Sequence, residues 1–323
     1  MYERYYALTE RPFDLTPNPR FLFLSNGHRE ALTHLQYGLN GRSGLTVITG
    51  EVGTGKSTLV RAALQSLNGS SSGVVHLSNP TLSRPEFFEY LAAGFGFAPE
   101  AAASKPRFLR ELETAASVRV ADHASLALIV DEAQSLSHEL LEEIRLLTNV
   151  ETASGQALAV VLIGQPELAV RLNDPALRQL KQRVTLRCEL SVLDLKETAA
   201  YIAARIRVAG GRAELLFTRE AVRAIHEYSN GIPRTISVIC DNALVNGFAS
   251  DVKPIGEAVV LEVCRDFELG KPRASDAAAA AAAAPSRDPR PASRLAGPPK
   301  TTAADDRGPL FESFTRPRRF SFF

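Results

Sequence analysis

Cysteine is scarce in this sequence and long apolar runs are missing, and both absences narrow what it encodes. Of 323 residues only three are cysteine, Cys188, Cys240 and Cys264, widely spaced and with no C-x-x-C pair. A sparse, odd set argues against a disulfide framework or zinc site and predicts buried, reduced thiols. No stretch approaches the ~18 consecutive apolar residues of a membrane span. The opening Met1-Tyr2-Glu3-Arg4-Tyr5-Tyr6 lacks the apolar centre of a signal peptide, so the expected location is the cytoplasm, with peripheral attachment at the inner face of the membrane as a variant. Repeats at solenoid periods are absent too. The net charge is only +1, but it is unevenly spread. Residues 271–323 hold ten Lys/Arg against five Asp/Glu, leaving 27 basic and 31 acidic residues in the first 270. That balance argues against nucleic-acid binding through bulk charge, although a local basic patch remains compatible with it.

What is present has the length for about two domains. Residues 1–27 form a proline-punctuated segment whose aromatics need burial; they read as a strap lying on the domain that follows. From residue 28 to 193, strands and helices alternate. Leu45–Thr49, Val74–Leu77, Leu126–Asp131, Leu158–Ile163 and Val184–Leu190 are short, nearly continuous apolar runs, and helical spacing marks 28–39, 85–95, 106–121 and 137–149. Apolar strands separated by helices predict an α/β fold, a five-stranded parallel sheet sandwiched by helices. Residues 194–269 carry helical periodicity only, at 195–208, 218–228, 234–248 and 256–268, and form a predicted all-helical subdomain. From residue 270 an Ala-, Pro- and Arg-rich tail predicts disorder. Its end, Phe311 to Phe323, interleaves aromatics with arginines: either a weakly structured tail or a docking peptide for a partner protein, an acidic membrane surface or nucleic acid.

The chemistry concentrates in Gly50-Glu51-Val52-Gly53-Thr54-Gly55-Lys56-Ser57, followed by Thr58. The stretch matches G-x-x-x-x-G-K-[ST] between a predicted strand and a predicted helix, the context the motif requires. Glycines let successive backbone N–H groups close around phosphate oxygens, and the helix N-terminus adds partial positive charge. Lys56 would reach the β- and γ-phosphates and Ser57 would place a hydroxyl on Mg²⁺. A carboxylate is also needed for the metal, and a second group for the attacking water. Asp131 and Glu132, at the end of the third strand, are assigned to those two tasks.

With these residues in view, the chain resembles an AAA+ ATPase. More specifically it is similar to the secretion-type ATPases of the general secretion pathway protein A kind. The likeness is carried by Pro12-Phe13-Asp14-Leu15-Thr16-Pro17-Asn18-Pro19-Arg20-Phe21, by His28-Arg29-Glu30-Ala31-Leu32, by Ile163-Gly164-Gln165-Pro166-Glu167-Leu168, by Leu177 to Arg183 and by Gly231-Ile232-Pro233-Arg234, across about residues 1–269. The resemblance implies ATP as the nucleotide, the helical part as a lid, Gln165 as the first nucleotide sensor, and Arg234 as the second sensor on the subunit's own γ-phosphate. It implies Arg183, or failing that Arg178, as a finger reaching a neighbouring subunit's phosphate, hence a nucleotide-dependent homo-oligomer. Pro12, Phe13 and the His28 region are candidates for packing around adenine, with a plain apolar strap as the alternative. The implied role is an assembly or regulatory switch with a protein partner in a secretion, envelope export or surface-polymer system. Secretion-type members often continue into a transmembrane helix and a wall-binding domain; the layout here is expected to be closer to soluble ATPases of exopolysaccharide export or protein sorting. Two competing readings are a DNA-associated ATPase of the transposition-regulator kind and a nucleotide-binding scaffold with little turnover.

Overall fold

The computed structural model describes residues 1–16, 18–39, 44–66, 73–121, 126–152 and 155–270. The predicted disordered tail from residue 271 onward lies outside the described residues. In chain order the elements are α1 (Tyr2–Tyr5), α2 (Asn26–Tyr37), β1 (Leu45–Gly50), α3 (Lys56–Ser66), β2 (Val74–Leu77), α4 (Arg84–Phe95), α5 (Pro99–Ala102), α6 (Lys105–Ala121), β3 (Leu126–Val130), α7 (His138–Leu147), β4 (Glu151–Thr152), β5 (Gly155–Gln156), β6 (Leu158–Gly164), α8 (Pro166–Arg171), α9 (Arg178–Gln182), β7 (Val184–Leu190), α10 (Leu195–Val208), α11 (Arg219–Ser229), α12 (Pro233–Ala249) and α13 (Glu257–Asp266). They group into two compact units: one of residues 15–192 with 232–234, the other of residues 1–14, 193–231 and 235 onward.

The first unit is built on a parallel sheet in the order β2-β3-β6-β1-β7. Side chains alternate across a strand, so each central strand feeds two cores. Leu45 and Val47, Leu126, Leu128 and Val130, and Leu158, Val160 and Leu162 face a cluster with Phe87 and Leu91 of α4, Phe108 and Leu112 of α6, and Leu140 and Ile144 of α7. Ile48, Ala127, Ile129, Val161 and Ile163 face the other cluster, with Ala31 and Leu35 of α2 and Leu59, Val60 and Ala63 of α3. Each of these Leu, Ile, Val and Phe side chains, fully buried, stabilises the fold by about 1.5–3 kcal/mol relative to exposure. Two-sided burial is why the three central strands β1, β3 and β6 lack polar alternation, whereas the edge strand β7 alternates, with Thr185, Arg187 and Glu189 exposed. The small antiparallel pair β4–β5 and the short helices α8 and α9 were not read from periodicity: at two to six residues they are too short to show a period.

The second unit is helical. Asp194 caps α10: its side chain accepts from the Glu197 N–H at 2.7 Å, and Glu197 accepts from the Asp194 N–H in return, a capping box. Thr218 caps α11 by accepting from the Ala221 N–H at 3.2 Å, without the reciprocal bond. The strap expectation needs correcting here. Residues 1–14 group with this helical unit, not with the α/β unit that follows them in sequence; only the segment from Leu15 does the latter. The aromatics decide it. Phe13 is buried with its ring edge-on to Phe217, Tyr2 donates its hydroxyl to Asp241, and Tyr5 donates to Asp251 at 2.8 Å. Arg205 donates to the carbonyls of Pro12 and Asp14. Among the described residues no helix is long and apolar enough to cross a membrane.

Candidate functional site

In an open parallel sheet, loops that bind ligands gather beyond the carboxyl ends of the strands. Three neighbouring strands end at one such edge. Gly50 closes β1, Asp131 follows β3, and Gln165 follows β6. The loop from Gly50 to Gly55 owes its shape to two positive-φ residues, Gly53 (φ 83°) and Gly55 (φ 101°), where a side chain would be strained. Thr54 is fully buried and clips the loop by donating its hydroxyl to the Glu51 carbonyl at 2.8 Å. Lys56, at the start of α3, is buried, and its ammonium donates to the carbonyls of Gly50 and Glu51 at 2.7 and 2.8 Å. Burial lowers its pKa from the ordinary lysine range, while Glu132, Asp131, Glu51 and Glu167 oppose that shift.

Ser57 donates its hydroxyl to Asp131 Oδ2 at 2.7 Å, so the two residues assigned to a metal stand side by side. Asp131 is buried, its N–H donates to the Leu77 carbonyl, and its other oxygen accepts from the Glu132 N–H at 3.0 Å. Glu132 adopts the left-handed conformation (φ 51°), which turns the chain off the strand. Its Oε2 accepts from Gln165 Nε2 at 3.2 Å and from Gln134 Nε2 at 2.6 Å. Among the described residues no set of three or more His, Cys, Asp and Glu could hold a metal alone. A hydroxyl beside one carboxylate still fits Mg²⁺, which is commonly bound through one or two protein oxygens with the rest supplied by phosphate and water.

Of the other expected site residues, Arg234 lies against the loop. Its N–H donates to the Gly53 carbonyl at 3.2 Å, and a Cβ at Gly53 would come within 2.9 Å of Arg234 Cβ. Arg183 is not brought to this edge. It precedes Val184, which pairs with Leu45 at the opposite end of β1 from Gly50. Neither Arg183 nor the exposed Arg178 makes an ion pair among the described residues. His28 is buried, with Nε2 2.8 Å from the Thr54 carbonyl and Nδ1 2.8 Å from Ser25 Oγ. A carbonyl only accepts, so Nε2 carries the proton, and in the neutral ring Nδ1 accepts from the serine. A Cβ at Gly55 would sit 3.2 Å from that Nε2. Pro12 and Phe13 belong to the helical unit, where burial of Phe13 against Phe217 accounts for its position without adenine. Sequence reasoning missed Gln134 and Arg171, which donates to the Gln134 carbonyl. The available signal was a second amide two residues after Glu132.

The fold and this edge define the class. The AAA domain profile matches residues 39–172. Solved structures with the same fold include the Aeropyrum pernix ORC2 protein (18% identity, 83% of this chain and 74% of that one, TM-score 0.58). Pyrobaculum aerophilum Cdc6p is also similar (13% identity, 83% and 73%, TM-score 0.58), as is Drosophila ORC (19% identity, 80% and 65%, TM-score 0.58). Residues 39–172 are an AAA domain, and the chain has the AAA+ fold. Its likeness in sequence is to the general secretion pathway protein A type: it is 40% identical over 249 residues to general secretion pathway protein A of Aeromonas hydrophila. That match takes in 77% of this chain and 45% of the relative, so the chain spans about half the length of the relative it matches.

Proposed function

We propose that the chain binds and hydrolyses ATP with Mg²⁺ and acts as an assembly or regulatory switch in a secretion, envelope export or surface-polymer system. One observation carries the catalytic part: a buried loop lysine, the Ser57–Asp131 pair and the Glu132–Gln165 pair meet at one sheet edge. The amides of Gly53 to Ser57 would bind the phosphates, with Lys56 exchanging its carbonyl partners for β- and γ-phosphate oxygens. Ser57 and Asp131 would hold Mg²⁺, which when bound neutralises charge developing on the transferred phosphoryl group. Glu132 would orient the attacking water and accept its proton, while the Gln165 amide steadies the same region. Arg234 would report on the γ-phosphate. Arg183, far from its own loop, suits a finger offered to a neighbouring subunit, which would make turnover depend on assembly. ATP rather than GTP, and the secretion-type partner, rest on the family likeness.

The test is calorimetry and phosphate release with Mg²⁺ and each common nucleotide across a range of protein concentrations. Lys56→Ala is expected to weaken ATP binding at least ten-fold, because the principal phosphate cation is lost. Glu132→Gln is expected to bind ATP normally and turn over at least a hundred-fold more slowly. Unchanged affinity in the first, or unchanged turnover in the second, would remove the corresponding assignment. Duplex DNA affinity falling steeply with salt would move the reading towards a DNA-associated ATPase.

A further inference from the structure

We infer that Gln134 is a positioning residue for hydrolysis, locking Glu132 and Gln165 into one frame; this rests on the reading of Glu132 as the group that accepts the water's proton. Gln134 sits in the short turn Ala133–Ser135 just after β3. Its side chain bridges two strand ends. Nε2 donates to Glu132 Oε2 at 2.6 Å, and Oε1 accepts from the Gln165 N–H at 3.1 Å. The orientation of the amide follows from chemistry: a carboxylate can only accept and a backbone N–H can only donate. Only a side chain with a donor and an acceptor on one planar group satisfies both.

The surroundings are shaped for this group. A Cβ at Gly164 would lie 2.7 Å from Gln134 Oε1, so the glycine before Gln165 is what leaves the amide room. Arg171, at the end of α8, donates Nη1 to the Gln134 carbonyl and fixes the turn from the other side. Glu132 Oε2 therefore takes two N–H donors, from Gln134 and Gln165. Among the described residues Oε1 accepts no hydrogen bond, which makes it the oxygen presented for the proton. A nucleotide that engages the Gln165 side chain acts on a residue whose backbone is tied, through Gln134, to the carboxylate. The device transmits one sensor's position to the base over two hydrogen bonds.

The experiment is steady-state ATP hydrolysis and equilibrium ATP binding by the full chain, for wild type, Gln134→Glu, Gln134→Leu and Glu132→Gln. Gln134→Glu keeps the shape and replaces the donor with an acceptor facing Glu132. It is expected to lower kcat ten- to hundred-fold while KM and ATP affinity stay within two-fold. Gln134→Leu is expected to lower kcat similarly. A loss of ATP affinity in step with kcat would reveal a merely structural role and overturn the proposal. If Glu132→Gln is inactive while both Gln134 variants turn over within two-fold of wild type, the role of Gln134 falls and the base assignment stands. If Glu132→Gln turns over normally, the base assignment falls, and this inference with it.

Discussion

The three thiols show how far single residues can be read from the sequence. Sparse, unpaired cysteines were expected in the core, and Cys188, Cys240 and Cys264 are all buried and free. Burial pushes the Cys188 and Cys264 thiols up to about 11 from the usual 9.0, and Cys240 in the same direction. The folded chain thus favours the neutral thiol more than the unfolded chain does. That contribution to stability is fully present below about pH 9 and is lost as pH rises through about 11. At pH 8 the native protein is expected to react with a thiol-specific disulfide reagent at less than a hundredth of the rate seen in denaturant, where three equivalents titrate. Fast labelling of the native chain would show that one of these sites opens readily. What the residue types could not reveal is partnership. The motif singles out Lys56, but does not reveal its hold on the Gly50 and Glu51 carbonyls. For Gln134 the nearby amide was visible but its partner was not, because that partner is the Gln165 N–H, 31 residues away.

Elements long enough to show a period were legible; what joins them was not. The five runs became the five strands, the central three because a strand buried on both faces reads as a continuous apolar run. Ser25 caps α2, its Oγ accepting from the His28 N–H. Hidden was the reason α2 starts where it does: His28, in its first turn, supports the phosphate loop through the Thr54 carbonyl. A capping turn thereby shapes a loop 26 residues later. His28→Ala is expected to strand that carbonyl, costing about 1–3 kcal/mol as a buried acceptor left unpaired. Loop amides would lose their alignment, so ATP affinity should fall along with thermal stability. His28→Gln, which can still donate, should recover much of both. Calorimetry on the two variants checks this; an alanine variant with wild-type ATP affinity would mean that the loop holds its shape through Gly53, Gly55 and the Thr54 clip alone.

On the scale of the whole molecule, the consequential feature is that residues 1–14 group with the helices that follow residue 193. Tyr2 and Asp241, joined by a hydrogen bond, are 239 residues apart in sequence, and Tyr6 is buried beside the Val252 carbonyl, to which it donates at 3.3 Å. Lys253 stands over the rings of both Tyr5 and Tyr6. Proline spacing placed these residues in a separate segment, but nothing local says which surface an aromatic segment will choose, because burial is satisfied by any complementary apolar patch. The helical unit therefore unites residues 1–14 with α10, α11, α12 and α13. Tyr2→Phe keeps the ring and deletes only the hydroxyl that meets Asp241. Burial and that carboxylate both push the Tyr2 hydroxyl up from the usual 10.0, so it is neutral, and donating, throughout the physiological range. Losing a hydrogen bond to a charged acceptor is expected to cost about 1.5–3 kcal/mol, seen as a lower melting temperature, while ATP affinity, set by the other unit, stays unchanged. Asp241→Asn, which can still accept, should cost less. If Tyr2→Phe melts with the wild type, the first helix is an ornament on the helical unit; if it also weakens ATP binding, the two units share their stability.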